Sequence, residues 1–247
     1  FERVRARQWL QSTDGQPLRP LLMKLSALSS RLSSRLRDEC ERWCEQHVTA
    51  TFRLRAEIDA AAFASLSPAA KKQVLRRCLA VVGCQPYPVS EDALDKLLAR
   101  VAAARTSTIG GCLVTIRQDI LTLMAEFGRA PVPEIVVKAG RVYSFDRRWL
   151  VFAPKDGHIR RLGSEGWATR PKDQPAFQHS TSWPARMGAM IPVLHGLDGK
   201  PYHPHFTSYR DVCSAAGHTN PTEGHLHTDE FFVCSLPADG PLNLDNQ

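Results

Sequence analysis

The apolar positions in the first fifty residues recur in steps of three and four. They run over more than seven turns, at Leu18, Leu21, Leu22, Leu25, Leu28, Leu32, Leu36, Cys40, Trp43 and Cys44. This spacing puts them on one side of a helix. It predicts one long amphipathic helix, and the mixed charges on its other face are typical of a solvated surface.

Residues 51–130 combine a strand pattern with two helix patterns. Apolar and polar residues alternate over 52–58, which predicts a short strand. Ser67-Pro68 predicts the start of a helix, and Gly83 is placed to end it. Ser90 predicts the N-terminal cap of a second helix.

Two strand patterns follow these helices. Gly110 and Gly111 belong to an apolar strand over 108–116, and a turn at 118–119 leads into a second strand over 120–124. We expect the two glycines to serve geometry, by allowing a bend or a close backbone approach. The segment as a whole predicts two helices packed on a small antiparallel sheet.

The remainder of the chain is richer in short strands and turns. Residues 141–152 predict a hairpin with its turn at 146–148, and 158–162 predict a further strand. Beyond 206 the periodicity fades, and we expect an irregular, acidic, histidine-containing tail. The predicted fold is α+β: a long N-terminal helix, a two-helix module with an antiparallel sheet, then a β-rich C-terminal module. The predicted divisions are 1–50, 51–130, 131–206 and 207–247.

Composition and charge narrow the function classes. Hydrophobic residues make up 43% and charged residues 23%, as in ordinary globular proteins. No apolar run approaches the roughly 18 residues of a membrane helix, so we expect no membrane partner. Seven cysteines without a C-x-x-C pair predict reduced thiols and a cytoplasmic protein.

The charge is unevenly distributed along the chain. Residues 1–206 carry 31 Lys and Arg against 19 Asp and Glu, whereas 207–247 carry one against six. The positive net charge of residues 1–206 favours a polyanionic partner, because each phosphate that a basic side chain neutralises releases counterions. Many globular proteins are mildly basic without such a partner, so charge alone leaves both interpretations open.

Five segments resemble one protein family in their order along the chain. The opening Phe1-Glu2-Arg3-Val4-Arg5-Ala6-Arg7 is similar to the arginine-rich stretch that closes the catalytic domain of tRNA(Ile)-lysidine synthetases. The other four are 66–77, Thr108-Ile109-Gly110-Gly111-Cys112, 140–149 in its alphaproteobacterial form, and 184–194 with its Pro-x-Arg and Ile-Pro-x-Leu elements. The resemblance covers roughly residues 1–200.

The resemblance implies a place in an ATP-dependent ligase. This family joins lysine to the wobble cytidine of the isoleucine tRNA with a CAU anticodon, using ATP and Mg²⁺ on an N-terminal Ser-Gly-Gly-x-Asp-Ser loop. That loop is absent here, since Gly110-Gly111 is followed by Cys112 and an apolar strand. We therefore expect the region that follows the PP-loop ATPase domain. Because the chain opens on Phe1, we expect a fragment without catalytic residues or bound nucleotide, inactive alone, with lysine and ATP held by the missing domain.

The family resemblance selects candidate tRNA-binding residues. Arginine forks pair well with phosphate oxygens, and the alternative for each residue is a solvated surface position. The candidates are Arg3, Arg5, Arg7, Lys71, Arg76 and Arg77.

Aromatic and histidine side chains leave two further interpretations open. Trp149, Trp167 and Trp183 either stack on unpaired bases or belong to the core, which is the more common role. Paired histidines favour a second hypothesis, a basic structural or interaction module whose tail binds a metal ion; no metal ligand is predicted under the first. These histidines are His203, His205, His218, His225 and His227.

Overall fold

A computed structural model describes residues 2–12, 16–127, 134–170, 183–206 and 232–235. Its architecture is α+β, as predicted: a long N-terminal helix, a two-helix module on an antiparallel sheet, and a β-rich C-terminal part. Within the described ranges, every helix is too short or too polar to cross a bilayer.

Three helical segments form the N-terminal part. They are α1 (Glu2–Gln11), a 3-10 turn (Gln16–Leu18) and α2 (Arg19–His47). Helix α2 confirms the long helix predicted from the leucine spacing, and Pro20 in its first turn suits a position where no backbone donor is required.

The first module is a five-stranded sheet with helices on it. Its order is β1-β2-β5-β4-β3, with every neighbouring pair antiparallel. Its elements are β1 (Val48–Thr51), β2 (Arg55–Asp59), α3 (Ala60–Ser65), α4 (Pro68–Gly83), α5 (Glu91–Ala102), β3 (Ser107–Ile109), β4 (Cys112–Arg117) and β5 (Ile120–Ala125).

Both predicted helix starts in this module are confirmed. The Ser67 hydroxyl accepts a hydrogen bond from the Ala70 amide, and the Ser90 hydroxyl accepts one from the Ala93 amide. The predicted apolar face of α4 is buried and packs on β5. Burial of its four large aliphatic side chains stabilises the module by about 1.5–3 kcal/mol each. They are Val74, Leu75, Leu79 and Val82, and Cys78 is buried beside them.

One sequence prediction in this module needs correction. The strand predicted from Phe52 begins at Arg55, because Phe52 and Arg53 adopt positive φ in the turn that joins it to β1, a strand that was not predicted. Helix α4 ends at Gly83, as predicted, and the left-handed conformation belongs to the next residue, Cys84, whose φ is 50°.

The second module contains two four-stranded sheets. Their orders are β11-β10-β9-β6 and β12-β13-β8-β7. The elements are β6 (Ile135–Val137), β7 (Arg141–Phe145), β8 (Trp149–Ala153), β9 (Gly157–Arg161), α6 (Gly163–Thr169), α7 (Ala185–Gly188), β10 (Pro192–Gly196), β11 (Pro201–Tyr202), β12 (His205–Phe206) and β13 (Phe232–Ser235). The predicted hairpin over 141–152 and the strand near 158–162 are confirmed.

The expectation of an irregular tail after residue 206 is wrong for residues 232–235. Strand β13 lies between β8 and β12, and Val233, which is fully buried, lies opposite Val151. The other residues of the predicted tail lie outside the described ranges. A strand of four residues carries too little periodicity to be recognised when its partners are distant in sequence.

The two modules share one apolar core. Phe52, in the β1–β2 turn, lies 6.0 Å from Trp149 and 5.0 Å from Phe206 between ring centroids. Leu54 and Val233 are buried in the same cluster. The C-terminal sheets are therefore packed against the first module rather than held only by the connecting chain.

Candidate nucleic-acid interface

Two arginines of α1, Arg5 and Arg7, have exposed side chains. No carboxylate forms an ion pair with either of them within the described residues. Side chains two residues apart in a helix lie about 200° apart around its axis. Arg5 and Arg7 therefore face different sides of α1, while the side chain of Arg3 lies outside the described part of the molecule.

The positive charge of α1 continues along the first half of α2. Between Arg19 and Arg37 the sequence contains five basic residues and no Asp or Glu. These five side chains are exposed, and in the described part of the chain they make no ion pair. They are Arg19, Lys24, Arg31, Arg35 and Arg37. We call residues 2–35, from α1 to the middle of α2, the N-terminal arm.

The candidate residues of α4 are in a different situation. Arg76 donates to the carboxylate of Glu91 on α5 and, at 2.9 Å, to the amide oxygen of Gln73. Arg77 lies 3.1 Å from the carboxylate of Glu41 on α2. Both predicted tRNA contacts thus hold helices together in the free protein, and phosphate would have to compete with these carboxylates.

Two lysines complete the basic end of α4. Lys72 reaches Asp95 at 2.6 Å and Glu91 at 3.6 Å, and its hydrogen bond with Asp95 raises the pKa of the ammonium group. Lys71 is half-buried and has no carboxylate partner among the residues that the structure covers. Of the three candidates on α4, Lys71 is therefore the one whose charge is left for an external anion.

Gly110 and Gly111 form the turn of the β3–β4 hairpin. Both have positive φ, 55° and 73°, which fits the two-residue turns that join strands most tightly. A Cβ on Gly83 would lie 1.9 Å from the Gly110 carbonyl oxygen, so the end of α4 touches this turn directly. The glycines serve close backbone packing, since the strands and α4 occupy the space around them.

Sequence reasoning missed a buried charge cluster between the two modules. Arg148, only 5% exposed, donates to the carbonyl oxygens of Val82 at 2.9 Å and Gly83 at 3.3 Å. Asp146 lies 3.0 Å from Arg148 and 3.0 Å from Arg161. A guanidinium at the carboxyl end of α4 also complements the helix dipole. The signal was the Asp-Arg-Arg turn of the predicted hairpin, whose partner on α4 is 66 residues away.

The three candidate tryptophans lie in the core or pack against it. Trp149 is fully buried and Trp167 is 5% exposed, so neither presents a ring to an unpaired base. Trp183 is half-buried and packs 5.2 Å from Phe52. The core interpretation is confirmed for Trp149 and Trp167.

The described thiols are free, as predicted, and differ in acidity. A hydrogen bond with Cys78 lowers the pKa of Cys44, and the same contact together with burial raises that of Cys78. Burial raises the pKa of Cys112 to about 12. Deeply buried thiols of this kind are unreactive core groups at neutral pH.

The histidine pairs proposed for a metal lie largely outside the described ranges. His218, His225 and His227 fall there, and burial lowers the pKa of the described His203. Among the residues with described placement, no three His, Cys, Asp or Glu side chains come together as metal ligands.

Neither comparison with known proteins identifies a relative of this chain. No known protein family matches it, and no curated protein is significantly similar to it in sequence.

Proposed function

We propose that this chain is the tRNA-binding portion of an ATP-dependent ligase of the tRNA(Ile)-lysidine synthetase type. The proposal rests on five family-like segments in the right order and on the exposed side chains of Arg5 and Arg7, which pair with no carboxylate among the described residues. In it, ATP, Mg²⁺ and lysine are bound by a part of the enzyme outside these 247 residues. In this proposal the chain binds the isoleucine tRNA and orients it for the reaction.

The observation that carries the proposal is the charge of the N-terminal arm. Arg5 and Arg7 are exposed, and no carboxylate pairs with them within the described ranges. An exposed guanidinium without a partner loses little by binding a phosphate, whereas Arg76 and Arg77 must first leave Glu91 and Glu41. The α1 arginines are therefore the primary phosphate contacts, with Lys71 in support.

The test measures tRNA affinity against salt concentration by fluorescence anisotropy. Phosphate contacts predict an affinity loss of about a hundredfold or more between roughly 50 and 200 mM salt. Replacing Arg3, Arg5 and Arg7 by Ala should lower the slope by about one per contact and weaken different tRNAs alike. The matched control is Lys96→Ala with Arg100→Ala, two exposed cations on α5. An unchanged slope in the triple variant, or no tRNA binding at low salt, would reject the proposal.

The enzyme part of the proposal has its own test. The Gly110-Gly111 pair is occupied as a hairpin turn, and no phosphate-cradling loop appears in the sequence. We expect no saturable ATP binding in equilibrium dialysis and no lysidine formation by this chain alone. Saturable ATP binding at micromolar concentration would contradict the expectation.

A further inference from the structure

The N-terminal arm exposes an apolar stripe. Seven large apolar side chains between residues 18 and 32 each retain 41 to 64% of their accessible surface. Scattered single exposed apolar residues need no explanation, but a contiguous row marks an interaction surface. Six of them form a row on one face of the helix, and we call this row the arm stripe: Leu18, Leu21, Leu22, Leu25, Leu28 and Leu32. Met23 lies on the opposite face of α2.

The arm stripe continues a contact that already exists within the fold. Farther along α2 the same helical face carries Leu36, Cys40 and Trp43, which pack into the core beside α4. Cys40 is buried and its thiol points at the Ala70 carbonyl oxygen at 3.9 Å. The second half of this apolar face of α2 is thus covered by α4, and the arm stripe continues the same face without a cover among the described residues.

Charge along the stripe indicates what kind of surface fits it. Arg31 and Arg35 follow Lys24 by seven and eleven residues, which are close to two and three helical turns. The three cations therefore form a row along one edge of the leucines. Ser29 and Ser33 lie toward the opposite edge. The other two cations, Arg19 and Arg37, lie beyond the serine edge and only at the two ends of this segment. A complementary partner therefore presents apolar side chains in the middle and its row of carboxylates along the edge of Lys24 and Arg31.

The same pattern disfavours a second copy and a lipid surface. In an antiparallel pair of arms, equal edges meet, and Lys24 would face Arg31 of the other copy. A bilayer that covered the leucine face of α2 would also cover the exposed carboxylate of Glu39 on the same face, and removing that charge from water is costly. Nucleic acid supplies no apolar surface to cover the leucines.

We propose that the arm stripe is the docking site for an amphipathic helix of a protein partner with an acidic row along one edge. This partner would cover Leu21, Leu25 and Leu28 as α4 covers the following turns. Its carboxylates would pair with Lys24 and Arg31. The inference rests on the leucines together with Lys24 and Arg31, which are not among the predicted tRNA contacts, so it does not depend on the arginines of α1.

The experiment uses the full chain and two synthetic helical peptides. Both carry the same leucine heptads; one has Glu along one edge and the other has Lys at those positions. Anisotropy should show that the Glu peptide binds more tightly than the Lys peptide by about tenfold or more. Equal affinities, or no binding of the Glu peptide, would overturn the proposal.

Variants locate the binding. Leu25→Gln with Leu28→Gln should remove peptide binding, and Gln keeps the helix propensity of the arm. Lys24→Glu with Arg31→Glu should reverse the preference between the peptides. Leu197→Gln, at another exposed leucine, is the control and should change nothing.

The remaining arms of the experiment separate the other occupants. If light scattering shows that the unchanged chain is a dimer and that the Leu25/Leu28 variant is a monomer, a second copy is the occupant and the proposal fails. The proposal also fails if the chain binds phosphatidylglycerol vesicles and the Leu25/Leu28 variant does not bind them. The Leu25/Leu28 variant should keep the tRNA affinity of the unchanged chain, so failure here and failure of tRNA binding are distinguishable.

Discussion

The two halves of helix α2 have the same apolar spacing and opposite surroundings. Leu25 and Leu28 are more than half exposed, while Cys40 is buried and Trp43 packs into the core. The difference comes from α4, which lies against the second half of α2. Arg77 of α4 also forms an ion pair with Glu41 of α2. Periodicity defines a face on a helix, but only a second element turns that face into core.

The electrostatics of the two halves differ in the same way. The first half has five cations and no carboxylate between residues 19 and 37. The second half carries Asp38, Glu39, Glu41 and Glu45, one of which pairs with α4. The covered half therefore has one of its carboxylates paired inside the molecule, whereas none of the five cations of the exposed half has an ion pair within the described residues.

Hydrogen exchange should show the largest difference between the halves. A helix without tertiary packing is marginal in water, so amides of residues 21–32 should open at a cost near zero. Amides of 41–46 should approach the global free energy of unfolding, about 5 kcal/mol or more. Mass spectrometry on short exchange times measures both segments in one sample. If residues 21–32 were as well protected as residues 41–46 at both of two protein concentrations, the arm would already be covered within the molecule.

Truncating one leucine in the core and one on the exposed arm sharpens the comparison. Leu75 of α4 is fully buried, and Leu75→Ala should lower the free energy of unfolding by about 2–5 kcal/mol through lost transfer energy and a cavity. Leu25→Ala on the arm should change it by less than about 0.5 kcal/mol. Urea melts followed by tryptophan fluorescence measure both. A large cost at Leu25 would mean that the arm packs on the body in solution.

Local features account for what the sequence predicted well. Ser67 and Ser90 cap their helices through bonds to amides three residues on, and the 146–148 turn joins neighbouring strands. Each of these depends on a few adjacent residues. Turn and cap chemistry can therefore be read without knowing the rest of the fold.

Features that depend on distant partners were not predicted. Strand β1 follows α2 without a break and exists because it pairs with β2, while β13 completes a sheet with β8, about eighty residues earlier. Arg76 and Arg77 read as free cations until the fold brings Glu91 and Glu41 to them. Sequence supplies the charges of this surface, and the fold decides which of them remain unpaired.

The smallest predicted effect separates paired from unpaired cations on the two halves. Arg77 and Glu41 join α4 to α2 at 3.1 Å, and their side chains are 35% and 40% exposed. Solvent screening limits such a pair, so Arg77→Ala should cost about 0.2–1 kcal/mol. Arg31→Ala on the arm should cost nothing measurable, because no ion pair is lost within the described residues.

A double-mutant cycle with Glu41→Ala isolates this pair from other effects of the substitutions. The coupling free energy from urea melts should be favourable at low salt and shrink in about 1 M salt, where the screening length falls to about 3 Å. Zero coupling at low salt would mean that α4 holds α2 through apolar contacts alone. Arg77 would then bind phosphate without giving up a stabilising pair with Glu41, and the contrast between α4 and the N-terminal arm as tRNA-binding surfaces would weaken.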